Sequence, residues 1–172
     1  MGEERREELQ KMTPELLSKF LNANGASLIS VSQSLGVVAK IQKSRIVRGV
    51  DAPGSCVAAL VGIVGGGMHG TSCIMADKEA FASYVGAMGG GMIAPDLGDS
   101  VALSVIGELA NMVNGQTLIK MDVDGVDLTP PQLITGENIR AVPMERANTK
   151  TMTIPFVLDG GGVVYLVISA EV

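Results

Sequence analysis

The sequence predicts an α+β fold: an antiparallel sheet built from two helix–strand–hairpin pseudo-repeats, with the long helices packed on one face. Two glycine-rich turns, at residues 65–67 and 159–162, each separate a pair of apolar arms. In each half of the chain, a segment of helical periodicity comes before a strand-like segment and its hairpin. Because a sheet and a helix must each bury an apolar face, this repeated order predicts helices layered on a sheet.

Composition limits the function classes. The chain has 172 residues, enough for one domain with a real core, and a net charge of −5. An acidic balance predicts no binding to nucleic acid or to anionic lipid. One histidine and two cysteines without metal-ligand spacing predict no metal site. Free thiols and the lack of an apolar signal segment at the start predict a cytoplasmic protein.

In the first half, the predicted helix start is the clearest local signal. Thr13 offers a capping hydroxyl, Pro14 suits the first turn, and Glu15 places an acid near the positive end of the helix dipole. The Asn- and Gly-containing residues 22–25 are expected to break this helix. The elements expected next are a helical segment over 27–35, a strand over 37–50, hairpin arms at 57–64 and 71–75, and a helix over 77–88.

In the second half, Asp99 is the predicted cap of a helix that ends near Gly115. Strands are expected over residues 117–123 and near 138–142. A final hairpin with arms at 149–158 and 163–170 follows. The chain is thus divided into an N-terminal extension or helix, residues 1–24, and a domain, residues 25–172.

Residues 52–76 contain no charged side chain except the single histidine, a length that would suit a membrane span. However, they include a proline and three consecutive glycines, which disfavour a helix and favour a turn between two strands. The sequence therefore predicts no membrane insertion. The glycines also match GxGxxG, but a strand-like segment follows where a dinucleotide-binding loop needs a helix.

Residues 104–115, SVIGELANMVNG, place a narrow polar stripe on an otherwise apolar helix. At about 100° per residue, Ser104, Glu108, Asn111 and Gly115 fall within about 60° of one another. Burying an unpaired carboxylate is costly, so this stripe must face water or a partner. Solvated faces usually carry Lys, Glu, Gln and Arg, whereas small residues beside one acid and one amide favour a docking or catalytic face.

Glu108 and Asn111 do not form a hydrolase site by themselves, because the stripe has no second acid, no nucleophile–base pair and no metal cluster. An amide can orient a water molecule, and a carboxylate can pair with a lysine of a partner. Such a pair suits a reaction in which the partner carries the electrophile and the metal. Phosphoryl transfer is such a reaction, since it depends mainly on positioning and charge stabilisation.

These residues resemble the signature of the CheC/CheX-type chemotaxis phosphatases, in which Asp or Ser, three residues, Glu, two residues and Asn follow one another. Ser104, Glu108 and Asn111 have this spacing. Residues 129–136 are similar to the family's proline-containing segment, and residues 153–166 to its final hairpin. The first helix has no Glu-x2-Asn pair, because Ser18 leads to Asn22 and then Gly25. The resemblance is therefore to the single-site CheX type and covers roughly residues 25–172.

The resemblance implies that the chain removes the phosphoryl group from a CheY-type response regulator, in chemotaxis or another two-component pathway. Asn111 would hold the attacking water in line with the aspartyl phosphate, and Glu108 would pair with the regulator's lysine. Ser104, Gly107 and Gly115 would be contact surface. The regulator would carry Mg²⁺, and the chain would need no cofactor of its own. Because CheX-type proteins form dimers, a homodimer is also expected.

Two alternatives stay open. The same fold serves in flagellar switch components, so the chain could be a non-catalytic binding module for a phosphorylated receiver domain. The glycine-rich hairpins could instead hold a small molecule. The intact pair of Glu108 and Asn111 favours the phosphatase over the binding module.

Overall fold

The computed structural model describes residues 12–140 and 147–172, which form three α-helices, one short 3₁₀ helix at Lys43–Arg45 and eight strands. The helices are α1 (Pro14–Ser34), α2 (Lys78–Met88) and α3 (Ser100–Met121). The strands are β1 (Ala39–Ile41), β2 (Val47–Arg48), β3 (Val57–Gly65), β4 (Met68–Ala76), β5 (Val126–Leu128), β6 (Gln132–Thr135), β7 (Thr149–Leu158) and β8 (Val163–Glu171).

The strands form one antiparallel sheet in the order β1–β7–β8–β4–β3–β5, with β2 also pairing with β7 and β6 also pairing with β3. The two hairpins, β3–β4 and β7–β8, meet at the centre, where Cys73 lies opposite Val167. β1 follows α1 and pairs with β7 of the second hairpin. In the same way, β5 follows α3 and pairs with β3 of the first hairpin. The predicted α+β fold with two helix–strand–hairpin units is confirmed.

The main core lies between one face of this sheet and the three helices. It includes Leu28 of α1, Tyr84 of α2 and Ile106 of α3, each fully buried against sheet residues such as Phe156 and Leu166. A smaller apolar cluster covers the opposite face of the sheet, around Met75 and Tyr165. The predicted placement of the long helices on one face is therefore also confirmed.

The uncharged segment over residues 52–76 forms the first hairpin, as the sequence predicts. Gly66 and Gly67 make a two-residue turn with φ of 58° and 76°. Positive φ at both turn positions matches the right-handed twist of the strands and strongly favours glycine. Within the part of the chain that the structure describes, no helix has the length and apolarity needed to span a bilayer.

Helix α1 is continuous, so the break expected at residues 22–25 is wrong. Thr13 caps the helix, its hydroxyl accepting a hydrogen bond from the Leu16 amide at 3.1 Å. Asn24 and Gly25 are both buried, and a Cβ on Gly25 would lie 3.7 Å from Cζ of Phe156. Tertiary packing thus outweighs the low helix propensity of these residues. The predicted division between residues 24 and 25 falls inside α1 and stays a prediction.

Three strand predictions also need correction. Residues 117–121 continue α3, and Asp122, with φ of 53°, ends it in the left-handed conformation. Residues 138–140 are not strand, whereas residues 141 and 142 lie outside the described residues. The strand expected over residues 37–50 is divided into β1 and β2 by the 3₁₀ helix. The predicted bounds of α2 and of the final hairpin agree with the structure to within one residue.

Candidate functional site

The candidate site lies on α3, a 22-residue helix that is capped at both ends. The Asp99 carboxylate accepts a hydrogen bond from the Val101 amide at 3.0 Å, as the sequence predicts. At the other end, Nζ of Lys19 on α1 donates to the Met121 carbonyl at 3.0 Å. These bonds satisfy backbone groups that a helix terminus otherwise leaves open, and they fix both ends of α3.

The structure places the predicted catalytic pair on the solvent-facing side of α3. Ser104, Glu108 and Asn111 are exposed, and Gly115 is half-buried. Of the residues that the structure describes, none forms a hydrogen bond or ion pair with the Glu108 or Asn111 side chain. At a spacing of three residues on a helix, the two Cβ atoms lie about 5–6 Å apart. A carboxylate and a carboxamide are therefore held side by side and free to engage another molecule.

Ser104 and Gly107 differ from this pair. The Ser104 hydroxyl donates to the Val101 carbonyl of its own helix at 2.6 Å, so it is an oriented surface group. Gly107 is buried, and a Cβ there would lie 3.5 Å from Leu133 and 3.7 Å from Pro131. Gly107 thus packs beneath the β6 side of the sheet instead of lying on the exposed stripe with the other predicted contact residues.

Residues 129–133 form a wall along the Gly107 side of α3. The Thr129 hydroxyl accepts a hydrogen bond from the Gly62 amide at 2.8 Å, and the Thr129 amide donates to the Gly62 carbonyl at 3.0 Å. A side chain at residue 62 would collide with Thr129, since an added Cβ would lie 2.9 Å from its methyl group. Leu133 in this wall is 39% exposed, so it borders the surface that carries Asn111.

Sequence reasoning missed a buried polar contact behind the stripe. Nδ2 of Asn24 donates to Oδ1 of Asn114 at 3.1 Å, joining α1 to α3. A helical projection at about 100° per residue places Asn114 beside the exposed arc of Ser104, Glu108 and Asn111, but Asn114 is 1% exposed. A signal for the contact exists: the pattern N-G-x-[S/T]-L-I occurs at residues 24–29 and again at 114–119.

Within the part of the chain that the structure describes, the two cysteines offer no second reactive site. Burial raises the pKa of the Cys73 thiol to about 12. Burial, followed by the Asp77 carboxylate, also raises the pKa of Cys56. Both groups are therefore neutral thiols near pH 7 and poor nucleophiles. Across residues 12–140 and 147–172, no group of three or more His, Cys, Asp or Glu side chains could hold a metal ion.

Comparison with known proteins agrees with this fold. The family model described as "Chemotaxis phosphatase CheX" matches residues 57–163. The CheY-P phosphatase CheX of Thermotoga maritima is 35% identical over 118 residues, which cover 67% of this chain and 74% of that protein. The residues matched by the family model include α3 and both hairpin turns.

Solved structures share the fold. A CheC-like superfamily protein from Shewanella sp. PV-4 has a TM-score of 0.73 and 24% identity, covering 90% of this chain and 98% of that one. A chain of the CheX–CheY–BeF3–Mg complex from Borrelia burgdorferi has a TM-score of 0.67 and 21% identity, covering 91% and 97%.

The single sheet, the long helices on one face and the exposed acid–amide pair define a CheC/CheX-like protein. Within that class, the matching family model and the Thermotoga relative are both described as CheX. The chain belongs to the chemotaxis phosphatase CheX family.

Proposed function

We propose that this chain hydrolyses the aspartyl phosphate of a CheY-type response regulator. The observation that carries the proposal is the exposed pair of Glu108 and Asn111, which has no partner among the described residues of its own chain. Its relative in Thermotoga maritima, with 35% identity, is a CheY-P phosphatase, and the Borrelia neighbour forms a complex with CheY. The substrate is therefore a phosphorylated receiver domain that docks on α3.

Asn111 acts on the attacking water. Its carboxamide both donates and accepts hydrogen bonds, so it can hold a water molecule in line with phosphorus. The water oxygen bonds to phosphorus as the bond from phosphorus to the aspartate oxygen breaks. The regulator regains its carboxylate, and the water's protons leave with inorganic phosphate and solvent. Because little other covalent chemistry is needed, orientation of the water is the main catalytic contribution.

Glu108 sets the position of the receiver. Its carboxylate pairs with the lysine of the receiver's active site, and docking removes this ion pair from water and strengthens it. Ser104 and Gly115 have small side chains or none, so the receiver can approach the helix closely there. Gly107 serves this surface indirectly, since it lies beneath Pro131 and Leu133, which an added Cβ would contact at 3.5–3.8 Å.

The metal in this reaction is the receiver's Mg²⁺, which neutralises charge on the phosphoryl group. The Borrelia neighbour is a complex that contains CheY and Mg²⁺. Two unpaired, buried cysteines suit a reducing compartment, which supports a cytoplasmic location.

We also propose a homodimer. All four residues of β6 are exposed, and Leu133 and Ile134 are 39% and 48% exposed. An edge strand with exposed apolar side chains is a template for pairing with another chain. Light scattering tests this, and a mass equal to one chain at micromolar concentration would contradict it.

The phosphatase assay uses CheY-type receiver domains from the same organism, phosphorylated with a small-molecule donor. The chain should accelerate phosphate release, and Asn111→Ala should reduce kcat by about 100-fold or more, since a single orienting or stabilising group contributes about that much. Asn22→Ala is the matched control, because Asn22 is an exposed asparagine on α1. Full activity of Asn111→Ala would refute the role of the amide. Phosphate-dependent binding without faster hydrolysis would identify a binding module instead.

A further inference from the structure

The hydrogen bond between Asn24 and Asn114 lies inside the α1–α3 interface, close behind the catalytic stripe. Asn24 is 0% exposed and Asn114 is 1% exposed. Nδ2 of Asn114 also donates to the Ala110 carbonyl at 2.9 Å, which fixes the orientation of its amide. Asn111 lies one helical turn before Asn114 on α3. The contact therefore joins α1 to the turn that carries the catalytic amide.

Among the described residues, the other fully buried side chains of α3 form no hydrogen bond to another element. Hydrogen bonds from Lys19 to the Met121 carbonyl and from Ser30 to Gln116 also join α1 to α3, but both are only partly buried. Apart from Asn114, Thr117 and Gly107, its fully buried residues are Ala, Val, Leu, Ile and Met. Apolar burial is non-directional, and apolar cores lose a unique arrangement before they lose stability. The Thr117 hydroxyl bonds to the Val113 carbonyl of the same helix and so cannot tie α3 to its surroundings. A directional bond to α1 can fix the rotation.

The geometry makes such rotation costly for catalysis. A helix with its side chains has a radius of about 5–6 Å, so a rotation of about 20° moves a side-chain end by about 2 Å. A displacement of about 1 Å at a reacting group can lower a rate by about 100-fold. A modest rotation of α3 would thus take Asn111 away from the water without unfolding the protein.

We infer that Asn24 is a positioning residue, which acts through its hydrogen bond to Asn114 to fix the rotation of α3 and aim Asn111 at the water. The inference rests on the proposed phosphatase function. Asn24 is on α1 and buried, so it does not touch the receiver. Any effect of Asn24 on catalysis must be transmitted through α3.

The test compares Asn24→Leu with the double variant Asn24→Leu/Asn114→Leu. The single variant leaves the Asn114 oxygen unpaired, whereas the double variant replaces both partners with apolar groups and regains stability. The measurements are the thermal midpoint, and kcat and KM with a phosphorylated CheY-type receiver. We expect kcat to fall about tenfold or more in both variants, with KM changed by less than about threefold. The midpoint of the double variant should recover while its kcat does not.

The matched control removes another buried hydrogen bond of α1. The Ser32 hydroxyl and the Tyr84 hydroxyl are 2.7 Å apart and fully buried, but they join α1 to α2. Ser32→Ala/Tyr84→Phe should keep the kcat of the unaltered chain. The inference is overturned if the double asparagine variant keeps that kcat, or if kcat follows the thermal midpoint in all variants. Absence of phosphatase activity in the unaltered chain would instead refute the proposed function, and the inference with it.

Discussion

Helices α1 and α3 share the pattern N-G-x-[S/T]-L-I, at residues 24–29 and 114–119, but differ one turn earlier. Aligning the shared pattern places Ser18 opposite Glu108 and Leu21 opposite Asn111. This corrects the alignment that set Asn22 and Gly25 against Glu108 and Asn111. The bond between Asn24 and Asn114 supports the new alignment, because equivalent residues meet where the two helices pack.

The comparison of α1 with α3 distinguishes residues that pack the two helices together from residues of the proposed site. Asn24 and Asn114, and likewise Ser27 and Thr117, are buried at equivalent positions in the two helices. At the positions of Glu108 and Asn111, α3 exposes an acid and an amide. α1 has an exposed serine and a half-buried leucine that packs against the core. The two helices therefore share buried polar residues at their interface, and only α3 carries the pair that we propose to be catalytic.

The largest expected effect comes from testing this asymmetry at Glu108 and Ser18. Glu108→Ala should lower kcat/KM by a factor that corresponds to about 2–5 kcal/mol, because the receiver's lysine would be left buried without its partner. Ser18→Ala, at the equivalent exposed position of α1, should leave kcat/KM unchanged. Steady-state hydrolysis of a phosphorylated receiver measures both. Equal losses in the two variants would show that both helices engage the receiver.

Much of the fold follows from local signals along the chain. The caps of α1, α2 and α3 and both hairpins were predictable, because capping side chains, glycine turns and apolar arms are encoded locally. The strands β5 and β6 were not. β6 exposes all of its residues, so it shows no alternation of apolar and polar side chains. It is a strand because it pairs with β3, more than 60 residues earlier in the chain.

Prediction of the site from the sequence is also limited to what local signals encode. Helical projection correctly put Glu108 and Asn111 on one exposed face, since that depends only on their spacing. It failed for Gly107 and Asn114, which flank that face. Pro131 and Leu133 cover Gly107, and Asn24 covers Asn114. Those neighbours come from distant parts of the sequence, so the projection of a single helix does not include them.

The two hairpins also differ where β4 pairs with β8, because β4 carries a titratable thiol at Cys73 and β8 carries Val167 opposite it. The pH dependence of stability tests this difference. Burial raises the pKa of Cys73 from 9.0 to about 12, whereas its cross-strand partner Val167 does not titrate. The folded state holds the thiol proton more tightly, so stability is lost as pH rises from 9 towards 12. At pH 10 this costs about 1.4 kcal/mol.

Cys73→Val places valine on both strands at this position and removes the loss of stability at high pH. Urea unfolding at pH 7 and pH 10 should show a smaller decrease in the free energy of unfolding for the variant than for the unaltered chain. An identical decrease in both proteins would mean that the thiol proton does not contribute. Activity near pH 7 should stay the same, because Cys73 lies in the cluster on the sheet face away from α3.

The smallest expected effects are those of alanine substitutions at the equivalent glycines Gly25 and Gly115. Neither has a positive φ, and an added Cβ would meet only Phe156 at Gly25 and nothing within 4 Å at Gly115. Alanine at either position should therefore stabilise the fold by about 0.5–1 kcal/mol, since glycine weakens a helix interior by that amount. The two substitutions should be equivalent in urea unfolding.

Their effects on activity should differ, because only Gly115 lies on the surface where we propose the receiver docks. A methyl group there should raise KM by about threefold with little change in kcat, as expected when an interaction made equally in the ground state and the transition state is weakened. Gly25→Ala should leave both constants unchanged. An unchanged KM in Gly115→Ala would place the docked receiver nearer the start of α3. A raised KM in Gly25→Ala would show that packing of α1 also shapes the docking surface.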